Sequence, residues 1–293
     1  MVARVAALMV IAAACGGPGP ATAPVPEAPA VLVGAGDIAG CRSQGDEATA
    51  ALLSGIPGTV FTAGDNAYQL GTPEDFAECY HPTWGWHKAR TRPTPGNHDY
   101  GTAGAAGYFG YFGSRAGDMG KGYYSYDLGS WHVVALNSIC DEVEGGCAAG
   151  SAQERWLRDD LQAHPARCTL AYWHNPLFSS GLHGSQDQVR PFWDALFEAG
   201  AEVVLNGNDH DYERFAPQDP RGQRDDARGI REFVIGTGGA QLRPFEDVLP
   251  NSEARNDVAR GVLQLRLFED RYEWEFVPIA GEDFMDRGEG NCH

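Results

Sequence analysis

The chain has 293 residues, of which 43% are hydrophobic and 21% are charged, a composition that is typical of folded globular proteins and argues against a disordered chain. Its formal net charge at pH 7 is −18, and a surface of that sign repels nucleic-acid backbones and anionic lipids. We therefore expect no binding to a nucleic-acid backbone.

The first residues have the features of an export signal. Residues 5–14 form an uninterrupted apolar run after Arg4, too short to span a bilayer but suited to the core of a signal peptide. The run ends in Ala-Ala-Ala-Cys-Gly at residues 12–16, which resembles a bacterial lipobox ending at Cys15. Since Ala12 stands where leucine is usual, plain secretion is the alternative to a lipid anchor.

We therefore predict an exported protein, either lipid-anchored at the outer face of the bacterial cell membrane or secreted. Residues 1–15 are interpreted as the signal peptide with its lipobox-like end, and residues 16–30, rich in proline and alanine, as a semi-stiff tether. Any contact with a membrane is expected only through the lipid anchor. Residues 31–293 contain no internal repeat and no second linker, so they are interpreted as one domain.

Export also predicts oxidised cysteines. The chain has 7 cysteines, so an even number remains when Cys15 is set aside, as expected for a set of disulfides. A zinc site built from cysteines is the competing interpretation, but no CxxC spacing supports it. Six cysteines allow 15 pairings, so the connectivity does not follow from the sequence. Cys140–Cys147, across a Gly-rich turn, is the favoured pair, and Cys41–Cys79 and Cys168–Cys292 are further candidates.

From residue 30 onward, β-rich runs alternate with helical stretches, which is typical of an α/β fold. Residues 30–33 form a strand-like run that leads to Asp37, and residues 59–62 form a second one that leads to Asp65. A helical stretch over residues 47–53 lies between them. Strands of this fold therefore feed loops that carry acidic side chains.

The same alternation continues towards the C-terminus. The later elements are predicted as paired strands over residues 124–128 and 132–136, a helix opened by a capping box at residues 151–154 and stopped by Pro165, a strand over residues 170–173 that leads to His174, a helix over residues 192–199, a strand over residues 202–205 that leads to Asn208, and a hairpin of residues 263–267 and 272–276.

Five of the loops after these runs carry residue types that bind metal ions. A single Gly-Asp pair or a single histidine after a strand is usually structural, but five such loops in order are hard to explain as turns. Strand ends converge on one rim of an α/β sheet, where ligand sites lie. The five sequences are Gly36-Asp37, Gly64-Asp65-Asn66-Ala67-Tyr68, Gly96-Asn97-His98-Asp99, Trp173-His174 and Gly207-Asn208-Asp209-His210.

The residue types in these loops fit a site for two metal ions. Carboxylate, amide, imidazole and phenol groups suit iron, manganese or zinc rather than soft copper. An aspartate at a central strand can bridge two ions about 3.5–4 Å apart, which together hold the attacking and leaving oxygens of a phosphoryl transfer.

These five blocks resemble the calcineurin-like metallophosphoesterase superfamily, and within it the purple acid phosphatase branch. The resemblance runs from about Val31 to at least Phe215 and implies a four-layer α/β/β/α sandwich with the metal site at the C-terminal ends of the strands. It also implies the ligands by position. Asp37, Asp65, Tyr68 and His210 would hold the first metal, and Asp65, Asn97, His174 and Asn208 the second.

The resemblance further implies the activity, which is hydrolysis of small phosphate monoesters by attack of a metal-activated hydroxide. His98 would protonate the leaving oxygen, with Asp99 orienting it, and His183 matches a second substrate-facing histidine. Lys88, Arg90 and Arg92 form a small basic cluster, interpreted as solvated surface rather than as an aid to phosphate binding.

Two positions depart from the superfamily pattern. Ala39 stands where many members have a histidine ligand, and Tyr68 replaces that donor, a change characteristic of the purple branch and favourable to Fe(III). We expect the second ion to be divalent Fe, Zn or Mn. The last block has Asn208 where the family has histidine, so we hypothesise a weakened second site.

Two other functions stay open on the sequence. One is a phosphodiesterase or nucleotide phosphatase. The other is a catalytically weakened lipoprotein that binds phosphate compounds or serves as a surface scaffold.

Overall fold

The computed structural model describes residues 28–293 together with residues 1–3, 6 and 9. The predicted lipobox-like end with Cys15 and nearly all of the predicted tether lie outside the described residues. Within the part of the chain that is described, no helix has both the length and the apolar composition needed to cross a membrane.

Fifteen strands dominate the described residues 28–293. In chain order they are β1 (Ala30–Ala35), β2 (Ala39–Gly40), β3 (Thr59–Ala63), β4 (Ala67–Tyr68), β5 (Thr91–Thr94), β6 (Tyr124–Leu128), β7 (Trp131–Ala135), β8 (Cys168–Tyr172), β9 (Val203–Asn206), β10 (Tyr212–Phe215), β11 (Arg231–Ile235), β12 (Ser252–Asn256), β13 (Gly261–Leu267), β14 (Arg271–Pro278) and β15 (Arg287–Asn291).

The helices are fewer and mostly short. The α-helices are α1 (Gly45–Gly55), α2 (Pro73–Asp75), α3 (Ala106–Phe112), α4 (Ala152–Ala163) and α5 (Arg190–Ala199). A π-helical turn (Phe76–Tyr80) follows α2, and 3-10 turns lie at Trp84–Arg90, Asp99–Gly101, Ala103–Ala105, Gly113–Ala116 and Asp187–Val189.

The strands form two large sheets and one small one. The six-stranded sheet has the order β15-β14-β13-β1-β3-β5, and the seven-stranded sheet has the order β12-β10-β11-β9-β8-β7-β6. Strands β1, β3 and β5 run parallel to one another, as do β7, β8, β9 and β11. Strands β2 and β4 pair separately.

The two large sheets pack face to face, with helices on their outer faces. Along β8 the side chains alternate, because successive residues of a strand point to opposite faces. Leu170 and Tyr172 lie in the cluster between the sheets, whereas Ala171 and Trp173 pack in a second cluster with residues of α4 and α5. Helix α1 packs on β13 of the six-stranded sheet, so the predicted four-layer α/β/β/α sandwich is confirmed.

The predicted strands and helices are present where polar and apolar residues alternate and where several apolar residues follow one another. The C-terminal hairpin forms as β13 and β14, with Leu265 opposite Trp274. The helix predicted from residue 151 is α4, and Ser151 Oγ accepts a hydrogen bond from the Glu154 backbone N–H at 3.2 Å. In a capping box the Glu154 carboxylate would accept from the N–H of Ser151. It accepts instead from the N–H of Gly150.

All three expected disulfides are present, Cys41–Cys79, Cys140–Cys147 and Cys168–Cys292. The competing idea of a zinc site made of these cysteines is therefore wrong, since their sulfurs are already bonded to one another. The third bond closes 124 residues of chain and joins the start of β8 to the C-terminus.

Candidate metal centre

The loops that carry the predicted ligands meet at one end of the sandwich. Asp37 and Asp65 follow β1 and β3 of the six-stranded sheet, while His174 and Asn208 follow β8 and β9 of the other. Strands β1 and β3 are parallel in one sheet and β8 and β9 in the other, and the contact of His174 Nδ1 with the carbonyl of Ala63 at 2.8 Å shows that the two sets of C-terminal ends meet. The site therefore draws on both sheets, as the sequence predicted for ligands at strand ends.

Three of the loop residues have left-handed backbone conformations. The φ angles of Asp37, Asp65 and Asn208 are 59°, 50° and 70°. Such values cost energy for residues other than glycine and cluster at functional sites. Gly64, just before Asp65, has a φ of 81°, and a Cβ there would lie 2.5 Å from Nδ1 of His174. Only glycine lets these two loops approach so closely.

The residues predicted for the first metal lie together and are buried. The Tyr68 hydroxyl donates to Asp37 Oδ1 at 3.0 Å and lies 3.2 Å from Asp65 Oδ2. Nε2 of His210 is 3.3 Å from the Tyr68 oxygen and 3.3 Å from Asp37 Oδ1. Four donor groups thus surround one small volume.

The residues predicted for the second metal adjoin the other oxygen of Asp65. Nε2 of His174 lies 3.5 Å from Asp65 Oδ1 and 3.1 Å from Asn97 Oδ1. Donor atoms of Asp37, Asp65 and His174 all lie within 4.8 Å of one another, a spacing suited to metal binding. Asp65 therefore presents one oxygen to each group of donors, which is the arrangement a bridging carboxylate needs.

Each histidine at the centre is oriented by a backbone carbonyl. Nδ1 of His174 donates to Ala63 at 2.8 Å, Nδ1 of His210 donates to Gln241 at 2.9 Å, and Nδ1 of His98 donates to Gln69 at 2.7 Å. These bonds place the proton on Nδ1 and leave Nε2 facing the centre, as is usual for metal-binding histidines.

The electrostatics of the site favour a cation. Burial opposes charge on both Asp65 and His174, but their mutual attraction outweighs it, lowering the pKa of Asp65 to about 2 and raising the pKa of His174 to about 10. Burial, together with Asp37 and Asp65, raises the pKa of the Tyr68 phenol well above its usual value. The donor set therefore fits metal ions, because they would supply the positive charge that the buried carboxylates attract.

Asn208 lies at the centre, but the contact that the structure shows is made by its backbone. Its N–H donates to Asp37 Oδ2 at 2.9 Å, and the residue is 8% exposed. It thereby orients a carboxylate predicted for the first metal. Its role as a ligand of the second metal stays a prediction.

His98 lies at the mouth of the site. Its side chain is 34% exposed, and its Nε2 is 3.9 Å from Asp65 Oδ2. The expectation that Asp99 orients His98 is wrong, because the Asp99 carboxylate accepts from the N–H groups of Asn66 and Gly96 instead. Asp99 holds two loops together, and the Gln69 carbonyl orients His98.

A cleft of about 510 Å³ opens beside the centre and is lined by residues that include Tyr68, His98, His210, Arg42 and Arg243. His183 lies next to it, with Nε2 2.6 Å from Nη1 of Arg243 and its ring 6.3 Å from the ring of His210. The structure thus brings His183 to the rim of the site.

Sequence reasoning missed the two arginines of the cleft, which stand alone in the chain with no motif around them. The basic cluster that it did identify lies elsewhere. Arg90 donates to carbonyls at the end of α1, and Lys88 and Arg92 lie over the rings of Tyr111 and Tyr126. That cluster is therefore half-buried and structural rather than the solvated surface expected from the sequence.

Comparison with known sequences agrees with this geometry. The family model described as calcineurin-like phosphoesterase matches residues 26–212. Purple acid phosphatase 21 of Arabidopsis thaliana is 28% identical over 191 residues, which cover 58% of this chain and 42% of that protein. The chain thus spans less than half the length of this relative.

Solved structures share the fold. Purple acid phosphatase PPD1 of yellow lupin (Lupinus luteus) superposes with a TM-score of 0.65 at 17% identity, covering 89% of this chain and 53% of that one. GAP50 of Plasmodium, described as the anchor in the inner membrane complex, gives a TM-score of 0.71 at 12% identity and covers 91% and 90%. At such identities the likeness concerns the fold alone.

Proposed function

The chain belongs to the calcineurin-like phosphoesterase family, in its purple acid phosphatase-like branch, and on that basis we propose that it hydrolyses small phosphate monoesters at a centre of two metal ions. The observation that carries this proposal is the position of Asp65, whose two oxygens face separate groups of donors. A carboxylate placed in this way has the geometry of a bridge between two cations.

In the proposed centre the first ion is Fe(III) and the second is divalent Fe, Zn or Mn. When bound, the two ions would lower the pKa of a water molecule and neutralise charge on the phosphoryl oxygens. The ligand set is the one given by the resemblance. Asp37, Asp65, Tyr68 and His210 hold the first ion, and Asp65, Asn97, His174 and the position of Asn208 hold the second.

The chain's own residues supply binding and proton transfer. His98 exposes Nε2 towards the cleft while the Gln69 carbonyl holds its Nδ1, so Nε2 is the atom that can give a proton to the leaving oxygen. Arg243 and His183, which contact each other at the rim, bind the non-bridging oxygens of the phosphate. The charge of Arg243 and the hydrogen bonds of both residues orient the ester for in-line displacement.

We also propose that the protein is exported, either lipid-anchored or secreted, and that residues 31–293 form the phosphoesterase domain. Three disulfides support export, because disulfides persist in oxidising compartments. The substrate is a small phosphate ester. Neither nucleic-acid backbones nor a membrane surface, beyond the lipid anchor, is a partner of this acidic protein.

A leaving-group experiment tests the role of His98. The His98→Asn variant should hydrolyse an alkyl phosphate about 10²–10⁴-fold more slowly than the wild type, because the alkoxide needs a proton as it departs. It should hydrolyse 4-nitrophenyl phosphate with a much smaller loss, because nitrophenolate leaves unprotonated. His81→Asn, at an exposed histidine bonded to Tyr111 away from the cleft, is the matched control. Equal losses on both esters would contradict the assignment.

Parallel assays separate the other functions. A phosphodiesterase or nucleotide phosphatase would prefer diesters or nucleotides over simple monoesters at equal metal content. The asparagine at position 208, where the resemblance places a histidine ligand, is the observation that favours a catalytically weakened phosphate-binding lipoprotein. That function would be shown by a metal-replete protein that binds phosphate without hydrolysing any ester. The fold shared with the Plasmodium anchor protein does not distinguish an enzyme from a binding protein.

Elemental analysis combined with a visible spectrum tests the metals. Iron on Tyr68 should give a tyrosinate-to-ferric charge-transfer band that disappears in Tyr68→Phe. A protein that contains iron but no such band would contradict the placement of Fe(III) at Tyr68.

A further inference from the structure

A second cluster of metal-binding residues lies far from the proposed centre. His132 of β7, and Asp160 and His164 at the end of α4, bring their donor atoms within 4.8 Å of one another. His132 pairs with Thr169 across the sheet, near the start of β8, whereas His174 follows the end of that strand. At about 3.3 Å per residue the two places are roughly 15 Å apart.

We propose that His132, Asp160 and His164 form a binding site for a single Zn²⁺ ion that joins α4 to the seven-stranded sheet. Two imidazoles and one carboxylate are a borderline donor set that suits zinc. Calcium and magnesium are disfavoured, because they require mostly oxygen ligands. The inference does not depend on the proposed phosphatase activity.

The distances fit this ion. His132 Nε2 lies 2.8 Å from Asp160 Oδ2, and His164 Nδ1 lies 3.2 Å from Asp160 Oδ1. Ligands at about 2.0–2.1 Å from a tetrahedral zinc are about 3.3 Å apart. The two imidazole rings are nearly parallel, with an interplanar angle of 15° and centroids 5.1 Å apart. Because the nitrogen lone pairs lie in the plane of each ring, one ring must rotate before both nitrogens reach a single ion, and His164, whose side chain is 52% exposed, has room for that rotation.

Neighbouring residues hold two of the three ligands in place. The other nitrogen of His132, Nδ1, donates to Asp127 Oδ1 at 3.2 Å, and the hydroxyl of Ser125 donates to Asp160 Oδ1 at 2.7 Å. A carboxylate behind a ligating histidine is the arrangement that fixes the tautomer and raises the basicity of the ring in zinc sites. A simple ion pair between His132 and Asp160 would not need these additional hydrogen bonds.

Burial and exposure give the site an open side. The side chains of His132 and Asp160 are 2% and 7% exposed, whereas that of His164 is 52% exposed. An ion can therefore enter from solvent, and a water molecule can take the fourth position. His164 Nδ1 donates to the Asp160 carbonyl at 3.0 Å, so zinc would displace that proton.

Zinc counting in variants tests the proposal. In an Asp65→Asn background, which removes the bridging carboxylate of the proposed centre, adding His164→Ala should remove one equivalent of zinc measured by equilibrium dialysis and elemental analysis. Asp127→Asn should weaken the same binding by about 10–100-fold, the usual effect of losing an orienting partner. His81→Ala in the same background should keep the full zinc content.

Thermal melting gives a second readout in otherwise wild-type protein. Zinc should raise Tm less in His164→Ala than in the wild type, because the ion binds only the folded protein, while phosphatase activity of the metal-loaded variant stays at the wild-type value. Equal zinc content with and without His164→Ala would overturn the proposal and show that the cluster is a hydrogen-bond network. Loss of activity in Asp65→Asn bears only on the phosphatase proposal.

Discussion

At the scale of single residues, the backbone determines which atoms of the metal centre are free to react. The carbonyls of Ala63, Gln69 and Gln241 each accept from the Nδ1 of a histidine. Because the backbone makes these contacts, the side chains of Gln69 and Gln241 are not what orients the rings. The three histidines differ in exposure instead, and His98, the most exposed, is the one suited to proton transfer.

Asn208 stands where the resemblance to the family places a histidine ligand. Replacing Asn208 by histidine should raise the content of the second metal and the turnover number, because an imidazole is a better ligand for divalent iron or zinc than an amide oxygen. The backbone bond from residue 208 to Asp37 does not involve the side chain and should persist. Metal content and kcat, measured on the same preparations, check the prediction.

A matched variant separates ligation from other effects of the substitution. Asn208→Gln keeps the amide and should not gain metal. If Asn208→His and the wild type hold equal metal and turn over equally fast, the second site does not depend on the donor at this position.

The ligand residues could be predicted from sequence, whereas their supporting contacts could not. Asp37, Asp65 and His174 each stand at the end of a strand-like run, and that position implies convergence at the sheet edge. Arg243 has no such signal, because its approach to His183 depends on the path of a long loop. The backbone carbonyl of Gln69 also gives no signal in the sequence, because every residue has a backbone carbonyl.

At the scale of elements, the disulfides differ in the length of chain that they close. Cys168–Cys292 closes 124 residues of chain and Cys140–Cys147 closes 7. Replacing the first pair by alanine should lower the free energy of unfolding by roughly 4–5 kcal/mol and replacing the second by about 2–3 kcal/mol, because a longer loop loses more entropy on closure. Urea unfolding of the two double variants measures the difference.

Both variants remove two cysteines, so each serves as the control for the other. An equal loss of stability in the two, or a larger loss at Cys140–Cys147, would contradict the loop-entropy argument and place the effect in native packing.

A strand or helix can be predicted from the sequence when it buries one face or is buried entirely, because its apolar residues then follow a regular pattern. In β13 the buried Leu263 and Leu265 alternate with polar residues, so the strand could be identified. Strand β15 reads Arg-Gly-Glu-Gly-Asn and was missed, because it lies at the sheet edge and buries little. Strand β10 was also missed. It holds the buried Glu213, whose carboxylate accepts from the Ser180 hydroxyl at 2.6 Å, a partner far away in sequence.

At the scale of the whole molecule, the proposed metal ions join the two sheets. Asp37 and Asp65 come from loops of the six-stranded sheet, and His174 and His210 come from loops of the other. Removing the ions with a chelator should therefore lower Tm by roughly 10 °C, if the ions are present at about 1,000 times their dissociation constant. Differential scanning calorimetry before and after chelation, and after metal is restored, measures this change.

The His164→Ala variant is the appropriate background for that measurement, since it removes the contribution of the proposed zinc site. Metal loss proved by elemental analysis with an unchanged Tm would show that the centre does not couple the sheets.

The direction of the strands also decides how the protein can be handled on a support. Ala30 begins β1 and Asp37 follows its end, so the two lie about 20 Å apart along the strand. The C-terminal His293 contacts Glu202 just before β9, at the same far end. A resin, surface or fusion partner joined next to Ala30 or His293 therefore leaves the mouth of the proposed metal centre pointing into solution, and the immobilised protein should keep the proposed centre accessible to small phosphate esters.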